Sequence, residues 1–220
     1  MHKKSHPLNI LVIAAHPDDE VLGMGGTIKK LSKNNKITLC VISEGASAQY
    51  DDKKMIQVRQ NACKASGKIL GISEFVFFDF PDMRLDTIPH LEINRELEKI
   101  IKKSHPKIVY STPHNDLNKD HQKVYESCLV ATRPLSSSVK QLLCYELPGI
   151  TREPFRATLY ENITKELPFK IKAFKKYESE VMKFPHSRSI KSIENLAVHR
   201  GIECGLQKAE AFEIIRSISD

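Results

Sequence analysis

The sequence is short of several things at once. It has no tryptophan, and aromatic residues make up 7% of its 220 positions. No basic run is interleaved with base-stacking aromatics, which argues against a nucleic-acid module. No apolar run approaches the ~18 residues of a membrane-spanning helix, so stable membrane insertion is not expected. Its five cysteines (Cys40, Cys63, Cys128, Cys144 and Cys204) show no close pairing. That spacing argues against a disulfide framework or a thiolate metal site, and for buried thiols in a reducing, cytoplasmic compartment. Linkers, repeats and low-complexity tracts are also missing. One domain over residues 1–220, with a single substantial core, is the expected organisation.

What is present concentrates at one point. The string His16-Pro17-Asp18-Asp19-Glu20 directly follows the apolar run Ile10 to Ala15. A buried strand that ends in a histidine and adjacent carboxylates sets metal-competent groups at the carboxyl edge of a sheet, where open α/β folds keep their sites. Imidazole and carboxylate are ligands that catalytic zinc accepts, normally three from the protein. Two come plausibly from this string, and His121 is the best donor of a third. It closes the segment His114-Asn115-Asp116-Leu117-Asn118-Lys119-Asp120-His121, which follows a second apolar run, Ile108 to Tyr110. The simpler alternative is that Asp18 or Asp19 caps a helix beginning near Glu20.

Periodicity supplies the frame. Strand-like runs at Asn9–Ala15, Lys36–Ser43, Glu74–Asp79, Lys107–Ser111 and Lys140–Glu146 alternate with helical stretches near Val21–Ser32, Met55–Leu70, Leu91–Lys103 and Gln122–Ala131. Such alternation predicts a Rossmann-like α/β fold, a mostly parallel sheet with helices on both faces. After Pro148 the order changes. Phe155–Asn162 is expected to add strands, while Phe169–Met182 and Ser192–Ser217 read as helices walling the pocket. Lys3 and Lys4 ahead of Leu8–Ala15 have the outline of a signal peptide. Asn9 interrupts that stretch, and cleavage near Ala15 would fall beside His16, so it reads as the first strand. Gly23-Met24-Gly25-Gly26 lacks the third spaced glycine of a dinucleotide fingerprint, and close helix packing accounts for it better.

The motifs carry a family resemblance. Ala15-His16-Pro17-Asp18-Asp19-Glu20 with Asp120-His121 resembles the PIG-L/LmbE family of zinc-dependent N-deacetylases, which remove acetyl groups from N-acetylglucosamine-type sugars. Further similarity lies in Arg59 with Leu70-Gly71, in Phe80 to Asp86, in Tyr145-Glu146, in Pro185-His186-Ser187-Arg188-Ser189, and in Arg200-Gly201 with Ala209-Glu210-Ala211-Phe212. It spans nearly the whole chain, and the first two motifs are the specific ones. The resemblance implies that His16, Asp19 and His121 hold Zn2+, with Fe2+ or Co2+ as alternatives, and that Asp18 is the general base. It implies an N-acetylated amino sugar as substrate and a place in surface-glycan biosynthesis.

Many members carry a histidine two residues before the Asp-His pair, where this chain has Asn118. An amide can donate a hydrogen bond to an oxyanion but cannot deliver a proton at neutral pH. The acid is then either protonated Asp18 or His114, with Asp18 favoured, and Asn118 and Asp120 complete the catalytic group. Arg59, Arg84, His114, Glu146, His186 and Arg188 are the candidates for binding substrate. Surface ion pairing is the alternative for Arg84, and a surface or helix-contact position for His186. The formal charge of +7 is spread over scattered lysines and serves solubility or attracts an anionic sugar substrate. Other readings of the same site are hydrolysis of another N-acyl sugar conjugate, such as a thiol-sugar, and a metal-stabilised carbohydrate-binding module without turnover. Retention of Asp18, which is not needed as a ligand, speaks against the latter. The oligomeric state is left open.

Overall fold

A computed structural model of the protein describes residues 7–50, 52–149 and 151–219; Lys3 and Lys4 fall outside them. Strand β1 (Asn9–Ala14) is apolar after its first residue, and it is buried on both sides. Alternate residues serve opposite faces. Ile10, Val12 and Ala14 pack into one core with Met24, Ile28 and Phe174. Leu11 and Ile13, with Ala15 just beyond the strand, pack into a second core with Ile93, Leu97 and Val124. This two-faced burial explains the unbroken apolar run, since a strand covered by helices on both sides has no polar face to show.

The chain continues through α1 (Asp19–Leu31), β2 (Lys36–Ser43), α2 (Lys54–Leu70), β3 (Glu74–Phe80), α3 (His90–Ser104), β4 (Ile108–Ser111), α4 (Lys119–Ala131) and β5 (Gln141–Tyr145). It ends in β6 (Leu159–Asn162), α5 (Leu167–Phe174), α6 (Ile190–Cys204) and β7 (Ala209–Ser217). One sheet takes all the strands in the order β3-β2-β1-β4-β5-β7-β6. The first five run parallel, and β7 is antiparallel to both β5 and β6. The expected mostly parallel α/β sheet is therefore what forms.

Two C-terminal expectations are corrected. Helix α5 stops at Phe174 rather than running to Met182, and the stretch expected as helix over Ser192–Ser217 splits into α6 and β7. Gly205, at φ 72°, ends α6 in a left-handed cap. In Ala209-Glu210-Ala211-Phe212-Glu213 the charged residues imitate the polar face of a helix, yet Glu210 and Glu213 are buried within the sheet. Each has a tertiary partner: Lys170 for Glu210 and His114 for Glu213.

Helix α1 is broken at Met24 (φ −143°, ψ 26°). The break frees the N–H groups of Gly26 and Thr27, which donate to the Glu210 carboxylate at 2.9 and 2.7 Å. A Cβ on Gly23 would lie 2.3 Å from the Tyr145 ring, and one on Gly26 would lie 2.7 Å from Ile163. Close helix packing is thus what these glycines serve.

Candidate metal centre

Strands β1 and β4 are parallel neighbours at the middle of the sheet. The chain leaves β1 toward β2 on one side and β4 toward β5 on the other. Such a reversal opens a crevice at the carboxyl ends of the two strands. Into it run the two segments singled out above, residues 15–20 after β1 and 112–121 after β4.

They meet there. His16 Nδ1 lies 3.2 Å from His121 Nε2. The Asp19 carboxylate closes the triangle, with Oδ2 at 3.6 Å from His16 Nδ1 and Oδ1 at 3.4 Å from His121 Nε2. Asp19 Oδ2 also accepts from the backbone N–H of His16 at 2.8 Å, which fixes the turn. All three side chains are buried. They are grouped closely enough, within 4.8 Å of one another, to share one ion.

The far nitrogens of both rings are tied to carboxylates. His16 Nε2 lies 3.1 Å from Asp120 Oδ2 and 3.3 Å from Asp82 Oδ1, and His121 Nδ1 lies 2.8 Å from Asp116 Oδ2. Carboxylate–histidine pairs of this kind fix the tautomer and turn the inner nitrogen toward a metal. A second grouping of His16, Asp82 and Asp120 has similar proximity, but Asp120 is already engaged there. It accepts the N–H groups of Met83 and Leu85 at 2.8 and 2.9 Å and so fastens the 82–85 loop to the site.

Charge supports the same conclusion. Burial alone would lower the pKa of both imidazoles. Hydrogen bonds and charge from Asp120, Asp19 and Asp82 outweigh it at His16, which rises to about 10. Asp19 and Asp116 do so at His121, which rises to about 9. A cluster that draws protons this strongly holds surplus negative charge, and a divalent cation among these donors would answer it. The donor set fits zinc.

Asp18 differs from its neighbour. It is fully buried, and neither carboxylate oxygen accepts a hydrogen bond among the described residues. Arg59 Nη2 and Arg188 Nη2 stand 3.7 Å from its two oxygens. Burial pushes the carboxyl up to about 6, against the opposing pull of Arg188 and Arg59. Its backbone lies at φ 125°, a conformation that costs a non-glycine residue on the order of 1–3 kcal/mol. Although Asp18 occupies the N-cap position of α1, its side chain makes no capping bond.

The remaining candidates scatter. Asn118 caps α4: its Oδ1 accepts the N–H of Asp120 at 2.9 Å, and its Nδ2 meets Met83 Sδ at 3.4 Å. This cap starts the helix earlier than expected and puts Asp120 and His121 in its first turn. Arg59 is buried, donating to Glu180 and to the Pro17 carbonyl. Arg188, half-buried, also pairs with Glu180. His114 lies 3.1 Å from Glu213 and against the Tyr125 ring. Glu146 pairs with Arg200, Nε to Oε2 at 2.7 Å. Arg84 and His186 are exposed, and His186 Nδ1 accepts the N–H of Arg188 at 3.0 Å. The sequence alone did not single out Asp82, Asp116, Tyr177 or Glu180. Asp116 sits five residues before His121, one helical turn and a bend away, and that proximity was the only available signal.

Comparison with known proteins identifies relatives of this chain. Residues 11–132 match the family described as PIG-L: GlcNAc-PI de-N-acetylase. The chain is 31% identical over 179 residues to the uncharacterized deacetylase YaiS of Escherichia coli (strain K12), covering 77% of this chain and 90% of that protein. It is 32% identical over 117 residues to the diacetylchitobiose deacetylase of Thermococcus kodakarensis, 49% of this chain and 43% of that one. The solved N,N'-diacetylchitobiose deacetylase from Pyrococcus horikoshii, complexed with its inhibitor MPG, shares the fold with a TM-score of 0.81. That match covers 94% of this chain and 84% of the other at 21% identity. From the extent of the family match and the length of the Escherichia coli relative covered, this chain belongs to the PIG-L family.

Proposed function

We propose that the protein is a zinc-dependent hydrolase, its residues 1–220 acting as one domain, that removes the N-acetyl group from an N-acetylglucosamine-type amino sugar. The observation that carries this reading is the convergence of His16 Nδ1, His121 Nε2 and Asp19 beside a buried Asp18 carboxylate that accepts no hydrogen bond among the described residues and has Arg59 and Arg188 at 3.7 Å. The family match and the diacetylchitobiose deacetylase relative support the acetamide as the bond cleaved.

His16, Asp19 and His121 would hold the ion. A bound divalent ion there supplies Lewis acidity and lowers the pKa of water to ~7. Asp18 takes the proton of the attacking water, whose oxygen bonds to the acetamide carbon. As the C–N bond breaks, Asp18 returns that proton to the departing amine, leaving acetate and the free amino sugar. Its raised pKa suits a group that must both accept and deliver a proton near neutrality. Asp120 and Asp116 keep the two imidazoles turned inward.

Arg84, next to the loop residues that Asp120 holds, and Arg188, half-buried beside Asp18, are the proposed contacts to the sugar. His114, committed to Glu213, is a weaker candidate for the acid than Asp18. The sugar is free, nucleotide-linked or lipid-linked, and a cytoplasmic step of surface-glycan assembly accommodates each form.

The test is acetate and amine release from a panel of N-acetyl amino sugars, free and nucleotide-linked, by the zinc-loaded protein. Equimolar acetate and amine from at least one member is the expected result. Full zinc occupancy without acetate from any member would overturn the assignment.

A further inference from the structure

Asp18 is held where an L-residue does not rest on its own. At φ 125° and ψ −21° its backbone lies outside the ordinary basins, so neighbouring groups must hold it there. Its own N–H donates to Glu20 Oε2 at 3.2 Å. The other oxygen of that carboxylate, Glu20 Oε1, accepts the Tyr177 hydroxyl at 2.6 Å. Both partners are buried, Glu20 at 0% and Tyr177 at 1% exposure. No cation pairs with Glu20 among the described residues, and its carboxyl is kept out of water. A first-turn glutamate at a helix start is ordinary when exposed. Its burial here is explained by what it joins, the Asp18 main chain on one side and Tyr177 on the other.

We propose that Glu20 and Tyr177 are positioning residues that latch Asp18 in its working conformation, an inference that rests on Asp18 being the base. The latch has a second arm on the same segment between α5 and α6. Three residues after Tyr177, Glu180 grips both Arg59 and Arg188, the guanidiniums that stand 3.7 Å from the Asp18 oxygens. One segment of the C-terminal part thus fixes the main chain of Asp18 through Tyr177 and Glu20, and its side chain through Glu180.

The test combines kinetics, using the panel member that the wild type turns over fastest, with amide hydrogen exchange on the zinc-loaded protein. Tyr177→Phe keeps the buried ring and removes only the hydroxyl. It should lower kcat by about 10- to 100-fold, the usual effect of a small misplacement of a reacting group. KM should stay within about 2-fold and zinc content should be unchanged. Exchange at the Asp18 amide should accelerate. Glu20→Gln, which retains one acceptor oxygen and gains a donor that the Tyr177 oxygen can accept, should be milder than Glu20→Ala. In an Asp18→Ala background, Tyr177→Phe should cost nothing further, because its effect passes through Asp18.

An unchanged kcat in Tyr177→Phe, or the same fold-loss with and without Asp18, overturns the latch alone. Near-wild-type turnover of Asp18→Ala overturns the base assignment and the latch together.

Discussion

Two buried polar clusters flank helix α1, and they are built on opposite terms. At the break in the helix, the Glu210 carboxylate accepts the N–H groups of Gly26 and Thr27 and the Lys170 ammonium at 2.7 Å, so charge and hydrogen bonds both balance. At the start of the helix, the carboxylates of Asp19, Asp82, Asp116 and Asp120 crowd around two imidazoles, and beside them the Asp18 oxygens, 3.7 Å from Arg59 and Arg188, have no hydrogen-bond partner among the described residues. The first cluster is complete within the protein. The second is complete only with something added. A fully satisfied buried network rigidifies a fold, whereas an unbalanced one costs stability and marks a place where chemistry is done.

The sharpest way to separate the two is to remove one carboxylate from each. Asp18→Ala should lower turnover by ~10²–10⁴-fold, about 3–5 kcal/mol of barrier. It should leave the melting temperature equal to or above that of the wild type, since a desolvated carboxylate has been deleted while the strained main chain is unchanged. Calorimetry alongside an acetate assay checks both. Glu210→Ala should do the reverse. Stripping the partner from a buried lysine and from two helix N–H groups should cost roughly 3–5 kcal/mol of stability in denaturant titrations, with turnover per folded molecule preserved. Loss of activity without loss of stability in Glu210→Ala would erase the contrast.

Acid–base behaviour sharpens it further. Without metal, the surrounding carboxylates outweigh burial and raise His16 to about 10 and His121 to about 9, both above the unfolded value of 6.5. Their contribution to stability is then fully present below pH 6.5 and is lost as the pH rises through about 9 and 10. A bound metal needs both rings neutral, so it gains on the proton over the same interval. The gap in melting temperature between zinc-loaded and chelator-stripped protein should widen from pH 6.5 to 9.5; a constant gap would mean that these imidazoles are not the ligands.

The smallest effect is expected at Asn118. Its capping bond to the Asp120 N–H is worth ~1 kcal/mol, and Asn118→Asp should keep most of that while Asn118→Ala loses it. If the amide also steadies the oxyanion through Nδ2, both variants lose kcat, and Asn118→Asp by at least as much. Stability curves and kcat for the pair separate cap from catalysis.

The N-terminal and C-terminal parts of the chain differ in how legible they are. Strand β1, buried on both faces, reads in the sequence as an unbroken apolar run and β2 as one interrupted only by Thr38, and His16, Asp19 and His121 can be placed because each follows a strand whose end is predictable. Strand β7 has a helix-like sequence pattern because Glu210 and Glu213 are buried charges whose partners, Lys170 and His114, are remote in sequence. Tyr177 and Glu180 carry no sequence signal for a related reason. Each acts through a tertiary contact to residues well over a hundred positions away, Glu20 and Arg59, and local pattern holds no trace of such pairings. Asn118, the proposed oxyanion donor, also caps α4 through its Oδ1, and the signal for that cap lies in the sequence beside the motif.

The central claim is that the imbalance at the carboxyl edge is answered by a cation held through His16, Asp19 and His121. Elemental analysis of zinc per chain, after equilibration with zinc and removal of the excess, tests it most directly on the wild type and His121→Ala side by side. About one zinc in the wild type and a strongly depleted, weakly binding variant is the predicted result. Full zinc content and undiminished affinity in His121→Ala would contradict it.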